Sequence, residues 1–267
     1  MRKKNQPKTF VNKVVRLSIA ASIVVVFSLF IRHYWGGILY YLGFQSNKNK
    51  QNTEIYDVRN YEVLSNHTLN AIGIDVSEYQ GVITWDSVKF IDETFEIKFV
   101  IARATIGSSR ADDTFKKNYK QAKKQGFKVG AYHYYRPDEN STEQAQLFIQ
   151  NVNLSVHDFP PILDIEKLPK EQSISNLKKG LKNWLTLVEK HYKRKPIIYT
   201  SERYYKDFLK DDFSTYKFWI ANYNFFVETP ENDWLIWQFT EKGTVKGINA
   251  FVDINIYNGI YEELLQE

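Results

Sequence analysis

The chain has 267 residues, 43% hydrophobic and 16% aromatic, enough for one large domain or two small ones. It has no cysteine, which excludes disulfides and thiolate catalysis, and its five histidines lack metal-ligand spacing, so we expect no metal or cofactor. Residues 1–50 hold nine of the 36 lysines and arginines and none of the 31 acids, so the remainder of the chain is acidic overall. We therefore expect no nucleic-acid binding by that part of the chain.

The N-terminal residues have the pattern of a membrane anchor. A basic tail, 1–16, precedes an uncharged run from Leu17 to Ile31, and an apolar aromatic stretch runs from Tyr34 to Phe44. The uncharged run is short for a bilayer, which needs about 20 residues, but Arg32 can snorkel to the interface. We therefore predict a transmembrane helix within 17–44. The excess of basic residues before it predicts a cytoplasmic N-terminus and a large domain outside, in the periplasm or on the cell surface.

Two alternatives compete with the anchor. A cleaved signal peptide shares the basic start and apolar middle, but no small-residue cleavage site follows Ile31. A buried globular helix explains neither the basic flank nor the absence of acids. Beyond the anchor, the polar run from Gln45 to Glu54 predicts a tether over 45–70, and we expect the main domain to span 71–267.

Strand and helix patterns alternate from Ala71 onward. Eight runs have strand character: AIGIDVS, KFVIARAT, KVGAYHYY, PPILDIE, KPIIYT, KFWIANY, WLIWQFT and AFVDINIY. Helical patterns separate the second to sixth of these runs, whereas the last three follow one another without a convincing helix. This alternation predicts an α/β protein with a mostly parallel sheet.

The fold expected from this alternation is an irregular, TIM-like β/α barrel whose later strands lack helices. An open doubly wound sheet is the alternative. No G-x-G-x-x-G or P-loop follows any strand, so nucleotide binding has no support.

Acidic residues mark several strand ends. They are Asp75 in GIDVS, Asp164 and Glu166 in PPILDIE, and Asp253 in FVDIN. In a parallel barrel the chemistry lies at the carboxyl ends of the strands, and residues two apart share a face. Asp164 and Glu166 would therefore lie side by side, where one carboxyl can be held protonated beside the other. A proton donor beside a carboxylate is what glycosidic bond cleavage requires, although a single strand-end acid is more often a cap or a solvated charge.

The ordered set of these motifs resembles the family-25 glycoside hydrolases, lysozymes that cut peptidoglycan. The motifs are GIDVSEYQG, FVIARAT, VGAYHYYRP, PPILDIE, PIIYTS, FWIANY, IWQFT and VDINIYNG, and they cover about Ala71 to Glu263. The resemblance implies hydrolysis of the β-1,4 bond between N-acetylmuramic acid and N-acetylglucosamine in peptidoglycan glycan strands, with retention of configuration.

Residue roles follow from the same resemblance. It implies that Glu166 is the general acid and that Asp75 and Asp253 match two further acids of the family. Either a covalent intermediate forms or the substrate's acetamido group assists, in which case Asp164 orients and stabilises that group.

Aromatic and amide side chains near strand ends fit a sugar groove. The candidate substrate-binding residues are Tyr132, Tyr134, Tyr199, Trp219 and Gln238. Each could instead be a core residue, because aromatic side chains dominate cores. Family members often carry glutamate where this chain has Ile106, so contacts around that loop are expected to differ.

Two other functions remain open at this point. One is a non-catalytic wall-binding module on the same fold, which would be expected to lose Asp164 or Glu166; both are present, which favours the enzyme. The other is hydrolysis of a different N-acetylated glycan, which the sequence does not separate from peptidoglycan cleavage.

Overall fold

A computed structural model of the protein describes residues 15–16, 18–32, 51–231 and 234–266, without the side chains of 51–57. The chain forms two compact units, Met1–Arg59 and Asn60–Glu267.

The N-terminal unit contains helix α1 (18–32), whose apolar side chains, among them Ile23, Val26 and Phe27, are exposed. Across the described ranges, no helix combines the length and the apolar character that crossing a bilayer requires. The predicted anchor, 17–44, lies partly outside the described residues, as do most of the basic tail and residues 45–50 of the tether.

The second unit begins earlier than the boundary expected at Ala71. Helix α2 (Gln51–Asn66) runs through the predicted tether, and its residues Val63 and Leu64 are buried in the core of the second unit. Asn60 donates a side-chain hydrogen bond to the carbonyl of Lys242 at 3.3 Å. Polar residues flank Val63 and Leu64 in the sequence. The composition of this segment therefore did not predict that the segment packs on the domain.

Ten strands of the described residues form the sheet. In chain order they are β1 (Ile72–Val76), β2 (Phe90–Ile91), β3 (Phe95–Ile106), β4 (Arg110–Ala111), β5 (Lys128–Tyr134), β6 (Ile162–Asp164), β7 (Ile197–Ser201), β8 (Lys217–Ala221), β9 (Ile236–Gly243) and β10 (Val252–Tyr257). All except β2 and β4 form a closed ring in the order β1-β3-β5-β6-β7-β8-β9-β10, with β10 returning to β1. Closure confirms the predicted barrel and rules out the open doubly wound sheet.

One strand of the ring runs opposite to the other seven. The pairs from β1 through β3 to β9 are parallel, whereas β10 is antiparallel to both β9 and β1. Within the described residues no helix follows β8 or β9 before the next strand, as the sequence predicted for the later strands.

Five α-helices of the described residues follow α2. They are α3 (Phe115–Lys124), α4 (Ser141–Asn151), α5 (Ile174–Tyr192), the short α6 (Glu202–Tyr204), which continues as a π-helical turn over Tyr205–Leu209, and α7 (Tyr261–Leu264). Helix α5 buries an apolar stripe that includes Leu181 and Trp184. Helix α4 is capped by Asn140, whose side chain accepts hydrogen bonds from the backbone N–H groups of Thr142 and Glu143.

Two layers of buried side chains follow from the alternation along each strand. Val100, Leu163 and Ile198 belong to an outer layer shared with the helices. Phe99, Ile162 and Ile197 belong to a second cluster that fills the barrel. The inner residues lie two positions before the site residues on β6 and β7, so the packed interior forms the floor of the site.

Candidate active site

The four predicted acids meet at one mouth of the barrel. Asp75, Asp164, Glu166 and Asp253 line one cavity of about 160 Å³, which we name the acid cavity. Its other lining residues are Tyr132, Tyr199, Trp219, Tyr223, Gln238 and Glu241. Of the predicted substrate-binding residues, only Tyr134 does not line this cavity.

The sequence did not predict the strand direction that places Asp253 at this mouth. It is the second residue of β10 and not near its end, so a parallel strand would have carried it to the opposite mouth. Because β10 runs antiparallel, its first residues lie beside the last residues of β1, and Asp253 pairs directly with Asp75. The reversed direction of β10 therefore completes the acid cavity.

Asp75 is buried and held by two amide donors. Gln238 Nε2 and Asn255 Nδ2 both donate to its Oδ2, at 2.7 and 2.8 Å. Asn255 is itself oriented by the Trp219 indole N–H, which donates to its Oδ1 at 2.8 Å. Burial raises the pKa of Asp75 to about 6, although the amide donors favour its ionised form.

Asp253 is the protonated partner of this pair. Burial, followed by the charge of Asp75 and the hydrogen bond between the two carboxyls, raises the pKa of Asp253 to about 9. Near neutral pH Asp253 therefore holds the proton and donates it to an ionised Asp75. The pair carries one negative charge, because two adjacent carboxyls in a buried site do not both ionise.

Asp164, the last residue of β6, and Glu166 just beyond it both line the acid cavity, while Ile165 between them is fully buried in the outer layer, as the alternation predicted. Asp164 is 4% exposed, and its Oδ1 is buried without a hydrogen-bond partner among the described residues. Burial, then the charges of Glu166 and Asp75, raises the pKa of Asp164 well above its usual range. A buried carboxyl oxygen without a hydrogen bond lowers the stability of the fold. Such an oxygen is typical of a group that accepts its hydrogen bond from a bound ligand.

Glu166 follows the end of β6 and is exposed at the mouth. Desolvation by the surrounding cavity walls still raises its pKa, against the opposing hydrogen bond with Tyr199. The side chain is thus open to an entering substrate yet holds its proton to higher pH than a free glutamate.

Gln238 is fixed by two tyrosines. Its Oε1 accepts hydrogen bonds from Tyr199 OH, at 2.7 Å, and from Tyr223 OH. With Oε1 satisfied in this way, the amide nitrogen is directed at Asp75. Gln238 is 3% exposed, so its main observed role is to organise the acids.

Three of the four predicted aromatic residues, Tyr132, Tyr199 and Trp219, line the acid cavity. The Trp219 ring lies 4.5 Å from Tyr199 and 6.3 Å from Tyr132, both edge-on, and Trp219 is only 1% exposed. These rings shape the cavity, while Tyr223, 38% exposed, offers a more open face to a sugar.

A second cavity adjoins the first at Glu166, which lines both. This groove of about 620 Å³ contains Tyr134, the 74% exposed Tyr79, and Ile106 from the position where the family often has glutamate. Arg103 lies beneath Tyr79, 4.7 Å from the ring centre, and its Nε donates to Asp112 at 3.0 Å.

Three site residues were missed by the sequence analysis: Tyr223, Glu241 and Asn255. Asn255 lies two positions after Asp253, so strand alternation alone could have found it. Glu241 lies near the end of β9. It is an acidic residue near a strand end, which is the same criterion by which the other acids were predicted. Tyr223 ends the predicted run KFWIANY, two positions after Ala221 and four after Trp219, so strand alternation could have found it as well.

Comparison with known proteins identifies relatives of this barrel. The family model described as "Glycosyl hydrolases family 25" matches residues 74–248. The chain is 40% identical over 196 residues to "Uncharacterized protein YegX" of Escherichia coli K12, covering 72% of this chain and 71% of that protein. It is 32% identical over 208 residues to "Lysozyme M1" of Streptomyces globisporus, covering 72% and 69%.

Solved structures agree with this relationship. A family 25 glycosyl hydrolase from Bacillus anthracis superposes with a TM-score of 0.66 at 30% identity, covering 74% of this chain and 93% of that one. The bacterial lysozyme from Streptomyces coelicolor gives the same score and identity, covering 73% and 95%.

Proposed function

The chain belongs to glycosyl hydrolase family 25 and is a glycoside hydrolase, and from this premise we propose that it cleaves the β-1,4 bond between N-acetylmuramic acid and N-acetylglucosamine in peptidoglycan. Relatives named as lysozymes support this substrate. The observation that carries the proposal is the meeting of Asp164 and Glu166 with the Asp75–Asp253 pair in one cavity.

Glu166 is the proposed general acid. Its raised pKa favours the protonated form, and its exposed position at the mouth lets it reach a bridging sugar oxygen. Proton transfer to that oxygen lets the bond to the anomeric carbon break as the leaving sugar departs with its hydroxyl restored.

Asp164 is the proposed stabiliser of the intermediate. Its unpaired Oδ1 can accept the N–H of the substrate's 2-acetamido group, whose carbonyl oxygen then attacks the anomeric carbon. Water opens the resulting oxazolinium ion, with Glu166 now acting as base, and the product keeps the configuration of the substrate. The Asp75–Asp253 pair contributes the negative charge that favours the positively charged intermediate.

Mass spectrometry of digested, purified peptidoglycan tests this function. The full chain should release muropeptides with muramic acid at the reducing end, and Glu166→Gln should release almost none. Reducing-end glucosamine would assign the enzyme to the other bond of the strand. Walls bound but left intact by the wild type would indicate a binding module.

We also propose that the N-terminal segment anchors the enzyme in a membrane, with the barrel on the extracytoplasmic side. The support is the basic tail, the apolar side chains exposed along α1 and the absence of acids in residues 1–50. Deleting residues 1–50 should move the activity from the membrane to the soluble fraction. Equal sedimentation of both forms, or protease resistance of the barrel in cells with a permeable outer layer, would contradict this placement.

A further inference from the structure

Tyr79 lies in the groove that adjoins the acid cavity. Among the lining residues that the structure describes, Glu166 alone belongs to both the acid cavity and this groove of about 620 Å³. The Tyr79 side chain is 74% exposed, so its ring is not part of the core. An open aromatic ring in a groove that reaches the proposed general acid is a candidate contact for the substrate.

The Tyr79 ring has one supported face and one open face. The guanidinium carbon of Arg103 lies 4.7 Å from the ring centre and covers one face. Arg103 is itself buried and fixed, because its Nε donates to Asp112 Oδ2 at 3.0 Å and its Nη2 lies 3.1 Å from Glu78 Oε1. Since most of the ring is exposed, the face opposite Arg103 is free to receive a ligand.

The turn that carries Tyr79 is also fixed. The Tyr79 backbone N–H donates to Ser77 Oγ at 3.3 Å, and the Ser77 backbone N–H donates to Gln80 Oε1 at 2.8 Å. The Glu78 backbone N–H donates to Asp112 Oδ2 at 3.0 Å, the same oxygen that accepts from Arg103. The ring is therefore exposed but held in place, and a face ordered in advance loses little conformational entropy when it binds a ligand.

The position of the general acid decides which sugar meets this face. A general acid protonates the oxygen between two sugars, so one sugar lies on each side of Glu166. In the proposed reaction the muramic acid lies in the acid cavity, where Asp164 meets its acetamido group. The first sugar on the leaving side is then N-acetylglucosamine, and Glu166 connects its position to the groove that contains Tyr79.

N-acetylglucosamine has the shape that an open aromatic face accepts. In a β-linked strand its ring substituents are equatorial, so both faces of the sugar ring present C–H groups. It also lacks the lactyl group and the peptide that muramic acid carries. This sugar can therefore lie flat against an aromatic ring, which offers an apolar face of similar size.

We propose that Tyr79, supported by Arg103, is the platform on which the N-acetylglucosamine of the leaving side stacks. The proposal rests on the function proposed above. Tyr134, which also lines the groove, is less suited to this role, because the Lys167 ammonium group lies 5.6 Å from its ring centre and is hydrogen-bonded to its hydroxyl. Tyr79 is a binding residue here and takes no part in proton transfer.

Two substrates of the full chain separate the two sides of the scissile bond. The tetrasaccharide GlcNAc-MurNAc-GlcNAc-MurNAc places a sugar on the leaving side, whereas the β-fluoride of GlcNAc-MurNAc places only fluoride there. Tyr79→Ala should lower kcat/KM for the tetrasaccharide about tenfold, as for the loss of one aromatic contact, and should leave the fluoride within about twofold. Tyr79→Phe keeps the ring and should match the wild type on both substrates. Tyr61→Ala, which removes an exposed tyrosine of α2, is the matched control.

The outcomes separate this proposal from the proposed function. Equal losses on both substrates, or no loss on either, would overturn the platform on the leaving side. If the wild type cleaves neither substrate, the muramidase function fails, and tetrasaccharide binding to the full chain carrying Glu166→Gln then decides the role of Tyr79. Binding about tenfold weaker after Tyr79→Ala is added supports the platform. Equal binding with and without Tyr79→Ala overturns it.

Discussion

Asp75 and Asp253 face each other across the antiparallel pair of β1 and β10, at the mouth of an otherwise parallel barrel. The two residues are far apart in the chain, and each alone would be an ordinary strand carboxylate. Together they share a proton: the pKa of Asp75 is raised to about 6 and that of Asp253 to about 9. The mouth of the barrel therefore contains a carboxyl pair that carries one negative charge and one proton, beside the proposed general acid.

Asp253→Asn should stabilise the protein while lowering its activity. The folded state raises the pKa of Asp253 to about 9, above its unfolded value near 4, so the folded form binds the extra proton and stability falls as pH rises between these values. Asparagine keeps a donor for Asp75 without titrating. We expect a gain of about 1–2 kcal/mol at pH 7.5 that disappears near pH 4.

Thermal unfolding from pH 4 to 9 measures this effect, with Glu262→Gln, an exposed acid on α7, as the control. A gain that stays constant with pH would show that Asp253 does not hold the proton.

Glu166→Gln should lower kcat by about 10²–10⁴-fold, because the amide has no proton to give the leaving oxygen. Thermal unfolding should hardly change, since the side chain is exposed. Glu241→Gln, in the same cavity, should lower kcat by less than about tenfold, as expected for a charge that acts only at a distance. Steady-state hydrolysis of soluble glycan strands distinguishes the two variants. Similar losses of kcat in both variants would contradict the role of Glu166 as the general acid.

Asp164→Asn should lower kcat about 10²-fold or more and should weaken a cyclic thiazoline mimic of the oxazolinium intermediate by a similar factor. The reason is that the buried Oδ1 without a partner is the proposed acceptor for the acetamido N–H, and asparagine presents a less basic group there. Inhibition constants for wild type and variant give the measurement. A wild type indifferent to the mimic would favour a covalent intermediate.

Gln238→Met should destabilise the protein by about 1–3 kcal/mol, because it leaves the Tyr199 and Tyr223 hydroxyls without their acceptor and takes one donor from Asp75. Tyr223→Phe, which leaves the bond from Tyr199 OH in place, should cost less than half as much. Urea unfolding compares the two variants. Equal losses would mean that the amide does not link the tyrosines to the acid.

Gly73→Ala should cost about 1–3 kcal/mol and lower activity, because a Cβ on Gly73 would lie 2.3 Å from Cδ2 of the buried Phe99. Strand β1 would have to shift, and Asp75 would move with it. Adding Phe99→Leu should recover part of the loss, so the double variant should be more stable than the sum of the single changes implies. Strict additivity would contradict a direct clash.

The fold followed closely from local patterns. Each predicted strand run contains a strand of the barrel. The same two-residue alternation places Asp164 and Glu166 on one side and Ile165 on the other, because it depends only on the backbone of a single strand.

The sequence by itself determined the eight strands that close the barrel, the helices α3 to α6 between them, and which acids lie near strand ends, but it did not predict α2 or the short strands β2 and β4. Tertiary structure alone decided that β10 runs backwards and brings the early residue Asp253 to Asp75, that Val63 and Leu64 join the domain, and that Trp219 is enclosed as a support for Asn255. An apolar period of two residues in a strand, or of 3.6 residues in a helix, shows only which face of that single element is buried. Partners that are distant in the chain, and the protons that they share, depend on closure of the barrel, which local spacing does not encode.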